Sequence, residues 1–354
     1  MNLASLLEHW GESHVLVVGG AIIGLIFGFM AQRTRFCARA AVIECCEGRA
    51  GERLSVWLLA FGACLVSVQA LVSMGWLKPE VTRFMGQPGS ISGAVLGGLC
   101  FGAGMVLTRG CASRLLILSA NGNLRALLSG LVFAVTVQAS IGGWLAPLKS
   151  SLTQLWAIDA GPSRNLLQLT GIGAFGGMAL SLLVLGVGVF FFLKHHRGRW
   201  ALGLGSAMTG TTIALGWGFT QAVAANSFEA IAVQSLSFSA PSAEWLMRTL
   251  SSQSAPSWGF DTGVLPGTFA GSLLGAMLGR DFKFEGFKTE NKLGHYLSGA
   301  VLMGFGAVLA GGCTVGAGMT GGAIFALTAW LTLISIWLGA GLAWRISQRM
   351  AWAI

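Results

Sequence analysis

Nine long apolar runs divide this sequence and limit the ways in which it can fold. They span residues 15–31, 54–76, 91–108, 125–146, 168–193, 201–218, 263–279, 296–310 and 323–344. Only 10% of the residues are charged and 54% are hydrophobic, whereas a soluble domain carries about 25% charged residues. Apolar runs of about 17 residues or more can cross a bilayer as helices. The sequence therefore predicts an all-α integral membrane protein with nine transmembrane helices, forming a single transmembrane domain over residues 1–354.

The positive charges indicate an orientation. If all nine runs cross the membrane, 17 of the 22 Lys and Arg residues fall on one side and 5 on the other. The side that holds the excess is cytoplasmic in most membrane proteins. We therefore expect a multi-pass protein whose N-terminus is periplasmic and whose C-terminus is cytoplasmic. The longest outside connection is then 237–262, and the longest inside connection is 280–295.

A ten-residue pattern, G-x-G-x-V-L-x-x-G-C, occurs at residues 102–111 and again without a gap at 304–313. The first copy follows the third run and would enter from the cytoplasmic side, whereas the second follows the eighth run and would enter from outside. Two repeats of opposite orientation are typical of transporters. We expect a first repeat over 15–146, a linking helix over 168–193 and a second, inverted repeat over 201–344.

Each predicted repeat contains two segments in which a helix is expected to break. These segments are residues 32–39, 109–114, 216–226 and 312–316. Irregular backbone at membrane depth is tolerated only where it is buried in protein or lines a cavity. Four short re-entrant segments of this kind, reaching in from both faces and meeting at the midplane, would form a constriction with short vestibules.

Cysteines lie in three of the predicted breaks, at positions 37, 111 and 313. A thiol can act as a nucleophile, a metal ligand, a redox partner or a weak hydrogen-bond donor. No His, Asp or Glu stands beside Cys111 or Cys313, which disfavours a metal site, and the absence of C-x-x-C disfavours a disulfide enzyme. Neutral thiols beside loop amides and nearby arginines suit a soft, sulfur-bearing anion.

No cofactor motif fits its context. Residues 171–176 match G-x-G-x-x-G, but they begin an apolar run and follow no strand. The five histidines lie outside the interiors of the runs, which disfavours a haem held by two histidines. The net charge of +9 belongs to membrane-flanking loops rather than to a nucleic-acid surface. We expect no cofactor, no metal, no nucleic-acid partner and no enzymatic activity.

Three stretches together resemble the YeeE/YedE family of bacterial inner-membrane sulfur transporters. They are QRTRFC at 32–37, RGCASR at 109–114 and GGCTVGAG at 311–318. The resemblance implies nine spans in inverted halves, an hourglass shape and a place in the inner membrane. It further implies passage of thiosulfate along a relay of three thiols. It also implies a cytoplasmic sulfur-carrier partner of the TusA type. The expected substrate-binding residues are Cys37, Cys111, Cys313, Gly110, Gly312, Arg109 and Arg114. Arg109 stands where the family pattern has a glycine.

Other functions stay open at this point. A membrane thiol–disulfide redox enzyme would form a reversible disulfide between two of the three cysteines. A transporter of another sulfur or selenium species would share the architecture and differ in substrate. A structural subunit would change no solute flux.

Overall fold

Helices account for nearly all of the regular structure. The computed structural model describes residues 7, 9–49, 51–227, 229–250, 258–286 and 293–350. In chain order the helices are α1 (Glu12–Arg33), α2 (Ala38–Cys46), α3 (Glu52–Ser73), α4 (Arg83–Gly86), α5 (Ile91–Leu107), α6 (Ala112–Ala120), α7 (Leu124–Gly142), α8 (Ala146–Gln154), α9 (Leu166–Leu169), α10 (Gly173–His195), α11 (Trp200–Asn226), α12 (Ala240–Leu250), α13 (Phe260–Leu278), α14 (Leu293–Leu309) and α15 (Leu327–Arg349). A π-helix, Thr314–Gly321, lies between α14 and α15. The strands β1 (Gly89–Ser90) and β2 (Ala157–Ile158) form a short antiparallel ribbon.

Seven helical stretches within the described residues are long and apolar enough to cross a membrane. The prediction of an all-α membrane protein is confirmed at this level. Nine of the helices that the structure describes have 17 or more residues, and α11 and α13 are the two that fall outside the seven stretches. Buried hydroxyl residues contribute to the lower hydropathy of α11; for example, Thr209 donates to the Gly205 carbonyl oxygen at 2.8 Å. The count of nine spans stays a prediction.

Helices α1 and α13 pack most closely, along a seam of small residues. Gly20 lies against the backbone of Phe260 and Gly28 against that of Thr268, so the two helices run in the same direction. A side chain at either glycine would collide with a carbonyl oxygen of the other helix. Ser272 fastens the seam by donating to the Gly28 carbonyl oxygen at 3.2 Å. Close backbone approach of this kind, with polar groups as additional contacts, is typical of helices packed in membranes.

The directions of the other packed helices follow from their contacts. Helix α5 runs antiparallel to α14, because Gly97 faces Gly306 and Gly104 faces Gly299. The same helix runs parallel to α15 on its other side, where Gly102 faces Ile336 and Gly98 faces Thr332. Helices α3 and α10 are antiparallel, as are α1 and α11. The core of the molecule is therefore a bundle in which long helices of both directions interlock.

Connections gather at two opposite ends of the bundle. At the arginine-rich face, which comprises residues 34–53, 109–125 and 280–286, Arg35 approaches Asp281 at 3.7 Å. The amide of Leu124 donates to the Glu285 carbonyl oxygen there at 3.1 Å. At the opposite face, which comprises residues 77–90, 155–166 and 322–328, the amide of Leu166 donates to the Phe325 carbonyl oxygen at 2.9 Å. The ends of the long helices thus form two compact faces.

The predicted break at 216–226 is wrong. Helix α11 continues unbroken to Asn226, and the irregular backbone follows it as a segment without helix or strand over residues 229–239. Gly216, which suggested a break, instead gives room for this segment, because a methyl group there would meet the Ser235 hydroxyl. Residues 251–257 and 287–292 of the predicted connections 237–262 and 280–295 lie outside the described residues.

Replacing Gly24 by Ala should lower the stability of the folded protein. The added methyl group would collide with the Val264 carbonyl oxygen and force α1 away from α13. Overpacking of this kind costs about 1–3 kcal/mol in free energy of unfolding. Thermal unfolding in detergent should show the loss as a lower midpoint.

Gly130 provides the matched control, because it lies within α7 with no atom within 4 Å of the position that a methyl group would occupy. Gly130→Ala should keep or raise the midpoint, since Ala exceeds Gly in helix propensity by about 1 kcal/mol. Equal shifts for the two variants would contradict the close-packed seam.

Candidate functional site

Three breaks in the bundle share one backbone design, and each ends at a cysteine. Helices α1, α5 and α14 end four residues before Cys37, Cys111 and Cys313, respectively. A new helix starts at the residue after each cysteine: α2, α6 and the π-helix. The cysteine itself has extended backbone and caps the N-terminus of the new helix. The same local structure therefore presents a thiol three times.

The breaks also agree in dihedral angle. The residue two positions before each cysteine has a positive φ: 52° at Arg35, 59° at Arg109 and 76° at Gly311. A left-handed residue after a helix lets the chain reverse and satisfy the last carbonyl oxygens of that helix. This conformation suits glycine and is uncommon for arginine. Arg109, which departs from the family pattern, therefore occupies the backbone position that Gly311 fills in the second copy.

Hydrogen bonds confirm that the three turns are equivalent. In each, the amide of the residue before the cysteine donates to a carbonyl oxygen five positions earlier. The three bonds are Phe36 to Ala31 at 2.9 Å, Gly110 to Met105 at 3.2 Å and Gly312 to Ala307 at 2.8 Å. This six-to-one bond is the signature of the Schellman motif. It satisfies backbone groups that would otherwise be unpaired in an apolar interior.

Cys111 lies at the centre of the predicted site. Its side chain is 1% exposed, and its sulfur lies 3.4 Å from the Ser113 hydroxyl. The Thr314 hydroxyl lies beside the same thiol, and Cys37 is close enough to interact with it electrostatically. The break after α5, the break after α1 and the start of the π-helix therefore converge. The structure brings together segments that are more than 200 residues apart in sequence.

Cys313, the residue before Thr314, is fully buried. Its sulfur accepts a hydrogen bond from the Gly316 amide at 3.3 Å. Gly312 has a steric reason to be glycine, because a methyl group there would lie 2.7 Å from the Ala317 nitrogen. Gly110 has no such reason: the nearest atom to an added methyl group would be 3.4 Å away, an ordinary contact.

Cys37 opens onto a cavity of about 380 Å³ at the arginine-rich face. The cavity is lined by Gln32, Arg35, Cys37, Ala40, Arg53, Arg114, Asn121 and Asp281. Arg114 interacts with both Cys37 and Cys111, so its positive charge lies between the cavity and the buried thiol. This cavity can hold a small anion, because cations outnumber the one carboxylate on its wall.

Arg109 lies apart from the cavity wall. Its guanidinium lies 5.8 Å from the ring centre of Tyr296, and Arg125 approaches the same ring at 4.6 Å. Arg39 interacts with both of these arginines and with Cys37. The sequence prediction thus grouped Arg109 with Arg114, whereas the structure gives them different surroundings: Arg109 faces an aromatic ring and Arg114 faces the thiols.

A second cavity, of about 400 Å³, lies at the opposite face and was not anticipated from the sequence. Arg83, Arg164 and Gly311 line it, so it reaches the turn that precedes Cys313. Arg164 is only 4% exposed and donates to the Gln87 carbonyl oxygen and, at 3.0 Å, to the Thr328 hydroxyl. Burial lowers the pKa of the Arg164 guanidinium from its ordinary value. No motif marks these arginines, because they lie in short connections far apart in sequence.

The surroundings of the cysteines can be read from the described residues. All seven cysteines are free. Among the residues that the structure describes, no group of three or more His, Cys, Asp or Glu side chains could hold a metal ion. The thiols therefore stand in a setting of hydroxyls, amides and arginines.

Comparisons with known proteins point in one direction. A family model described as sulphur transport matches residues 33–342. The thiosulfate transporter TsuA of Escherichia coli (strain K12) is 24% identical over 360 residues, covering 95% of this chain and 97% of that protein. The thiosulfate transporter TsuA of Spirochaeta thermophila (strain ATCC 700085 / DSM 6578 / Z-1203) is 26% identical over 348 residues, covering 93% of this chain and 99% of that protein.

Thiol reagents should distinguish the cysteines by their exposure. In detergent-solubilised protein, N-ethylmaleimide should modify the exposed Cys45 and the cavity-lining Cys37 more than about tenfold faster than Cys111 and Cys313, because a reagent must reach the thiolate. Mass spectrometry of tryptic peptides measures the order. Unfolded protein, in which all seven react, is the control. Early modification of Cys313 would contradict the occluded centre.

Proposed function

Because the chain belongs to the sulphur transport family, we propose that it imports a small sulfur-containing anion, with thiosulfate as the substrate, through a relay of neutral thiols. The substrate follows from the names of the two relatives. The observation that supports the relay is that one kind of helix break occurs three times, each time before a cysteine. These breaks bring Cys37 and Thr314 close to Cys111. An incidental buried cysteine would not need this repeated backbone.

The proposed path runs from the cavity of Arg83 and Arg164 to the cavity of Cys37. The first cavity ends at Gly311, two residues before Cys313. Cys111 follows beyond Thr314, and Arg114 then leads to the second cavity. Arginines at both ends attract an anion and offset part of the cost of removing it from water. The buried centre between them carries the relay.

Neutral thiols suit the centre of such a path. A thiol donates a weak hydrogen bond and is polarisable, so it can contact the terminal sulfur of thiosulfate without holding it tightly. A thiolate there would repel the anion, and an arginine there would retain it. The Gly316 amide that donates to Cys313 directs the thiol without adding a charge. No bond to the substrate is made or broken in this step.

Helix packing supports the proposal of nine spans in two inverted repeats. In the proposed exchange, α1, α2, α3, α5, α6 and α7 correspond to α11, α12, α13, α14, the π-helix and α15. If each helix is replaced by its counterpart, the pair α1–α13 becomes the pair α11–α3, and the pair α5–α15 becomes the pair α14–α7. All four pairs are in contact. Strict alternation of nine spans also requires α1 and α13 to be parallel and α5 and α14 antiparallel, as they are. Helix α10 is the link between the repeats.

The arginine-rich face is proposed to be cytoplasmic, in the bacterial inner membrane. It holds the majority of Lys and Arg residues that the positive-inside rule assigns to that side. The cavity of Cys37 opens there, so a sulfur-carrier protein of the TusA type would receive the substrate at this face. The N-terminus is then periplasmic.

One observation favours the alternative of a thiol–disulfide enzyme, namely that Cys37 interacts with Cys111. That enzyme would need the two cysteines to form a reversible disulfide. Mild oxidation followed by mass spectrometry tests this directly. A Cys37–Cys111 disulfide that forms and is reduced during turnover would favour the enzyme over the relay.

Removing either buried thiol should stop uptake without unfolding the protein. Cys111→Ala and Cys313→Ala each remove one sulfur, which costs about 1 kcal/mol of burial energy. Cys313→Ala also removes the acceptor of the Gly316 amide, which costs about 1–3 kcal/mol more, so the unfolding temperature of each variant is measured beside its uptake. Uptake of labelled thiosulfate into proteoliposomes should fall to background for both variants. Cys37→Ala, at the rim of the cavity, should reduce uptake less.

The other cysteines supply matched controls. Cys100→Ala and Cys45→Ala remove thiols outside the proposed path and should leave uptake near the wild-type rate. Full uptake by the Cys111→Ala/Cys313→Ala double variant would end the relay hypothesis. Uptake of a different solute, with none of thiosulfate, would overturn the substrate.

The proposed orientation can be tested by labelling single cysteines in intact cells. A cysteine at Ser150, on α8, should react with a membrane-impermeant maleimide added from outside. A cysteine at Phe284, which is 74% exposed on the arginine-rich face, should react only after the cells are opened. The reverse pattern would overturn the orientation of the repeats.

A further inference from the structure

Two buried hydroxyl groups near the first turn of the π-helix are poorly paired by the chain. Ser237 is 4% exposed and Thr314 is 3% exposed. Among the described residues, neither Ser237 Oγ nor Thr314 Oγ1 makes a hydrogen bond of normal geometry. The Thr314 hydroxyl can donate to the Cys111 sulfur, which is a weak acceptor. Both hydroxyls can therefore donate to a stronger acceptor, such as an oxygen atom of an anion, that reaches them.

Both hydroxyls border the first turn of the π-helix. Thr314 follows Cys313 directly and reaches towards Cys111. Ser237 approaches the same turn from the irregular segment 229–239: a methyl group on Gly316 would lie 2.6 Å from Ser237 Oγ. Gly316 is also the residue whose amide donates to Cys313. The two hydroxyls therefore border the interval between the two buried thiols.

The position of Ser237 is fixed by its neighbours in the chain. The Leu236 carbonyl oxygen accepts a bond from Thr320 at 2.8 Å, and the Ser235 hydroxyl donates to the Ile213 carbonyl oxygen at 2.7 Å. These bonds tie the segment to the π-helix on one side and to α11 on the other. Ser235 has its partner, whereas Ser237 has none among the described residues, although both are buried in the same irregular segment.

We infer that Ser237 and Thr314 donate hydrogen bonds to the oxygen atoms of the transported anion while it passes between Cys313 and Cys111. The inference rests on the proposed function. An anion such as thiosulfate has a soft sulfur at one end and hard oxygens at the other. Thiols match the sulfur, and hydroxyl groups match the oxygens.

This arrangement assigns the two ends of the substrate to different donors. It uses neutral hydroxyls in place of an arginine, so the anion is oriented without being trapped by a full positive charge. Arginines line the two cavities, whereas the interval between the thiols is bordered by hydroxyls and amides. The ligand class is thus a small oxyanion that carries a terminal sulfur.

The test compares uptake with stability in purified full-length protein. Ser237→Ala and Thr314→Val should each lower the initial rate of labelled thiosulfate uptake into proteoliposomes by about tenfold or more, which corresponds to the loss of a hydrogen bond to a charged group. Their unfolding temperatures should stay equal to that of the wild type or rise, because an unpaired buried hydroxyl is removed. Thr314→Ser, which keeps the donor, should retain most of the uptake.

Thr268→Val is the matched control. Thr268 is also fully buried, and its hydroxyl likewise lacks a partner, but it lies on α13 against α1 rather than beside the thiols. Its replacement should leave uptake unchanged. Equal loss of uptake in Thr268→Val would overturn the inference, as would a lower unfolding temperature in both hydroxyl variants.

The outcomes also separate this inference from the proposed function. If Ser237→Ala and Thr314→Val transport thiosulfate normally while Cys111→Ala does not, the hydroxyls have no role and the relay stands. If the wild-type protein takes up no thiosulfate, the proposed function fails and this inference fails with it.

Discussion

The constraint on which this molecule depends is that a broken backbone inside an apolar bundle must still pair its polar groups. The three turns that precede Cys37, Cys111 and Cys313 meet it with one six-to-one hydrogen bond each. At Cys313 the sulfur also pairs the Gly316 amide. The Cys313 thiol therefore pairs one of the backbone amides at its break. The same break places a polarisable thiol in the interior.

The close glycine seams keep each helix break in one conformation. Because α1 and α13 meet backbone to backbone, the interior leaves little space into which an interrupted helix could relax. The irregular segment 229–239 is held by two hydrogen bonds, one from Thr320 on the π-helix and one to α11. Irregular backbone is confined on all sides by regular helices, which fixes the directions of the side chains that it carries.

The helix breaks at the cysteines were predictable from sequence, because a repeated pattern of residues locates a turn that glycine content alone does not. The copies at 102–111 and 304–313 predicted two cysteine turns, and the break at 32–39 predicted a third at Cys37. The structure shows that all three share one dihedral pattern. The break at 216–226 was wrong because glycine near a helix end has two uses, chain reversal and close packing, which composition does not separate. Arg83 and Arg164 were missed because their shared cavity is created by tertiary contacts alone.

The interlocking of helices has a consequence for mechanism. The tightest seams, α1 with α13 and α5 with α15, each join a helix of one proposed repeat to a helix of the other. Rocking one repeat against the other would pull backbone from backbone along their whole length. Under the proposed function, the anion would therefore cross a scaffold that these seams hold together, and rotations of single side chains, rather than separation of the repeats, would admit it.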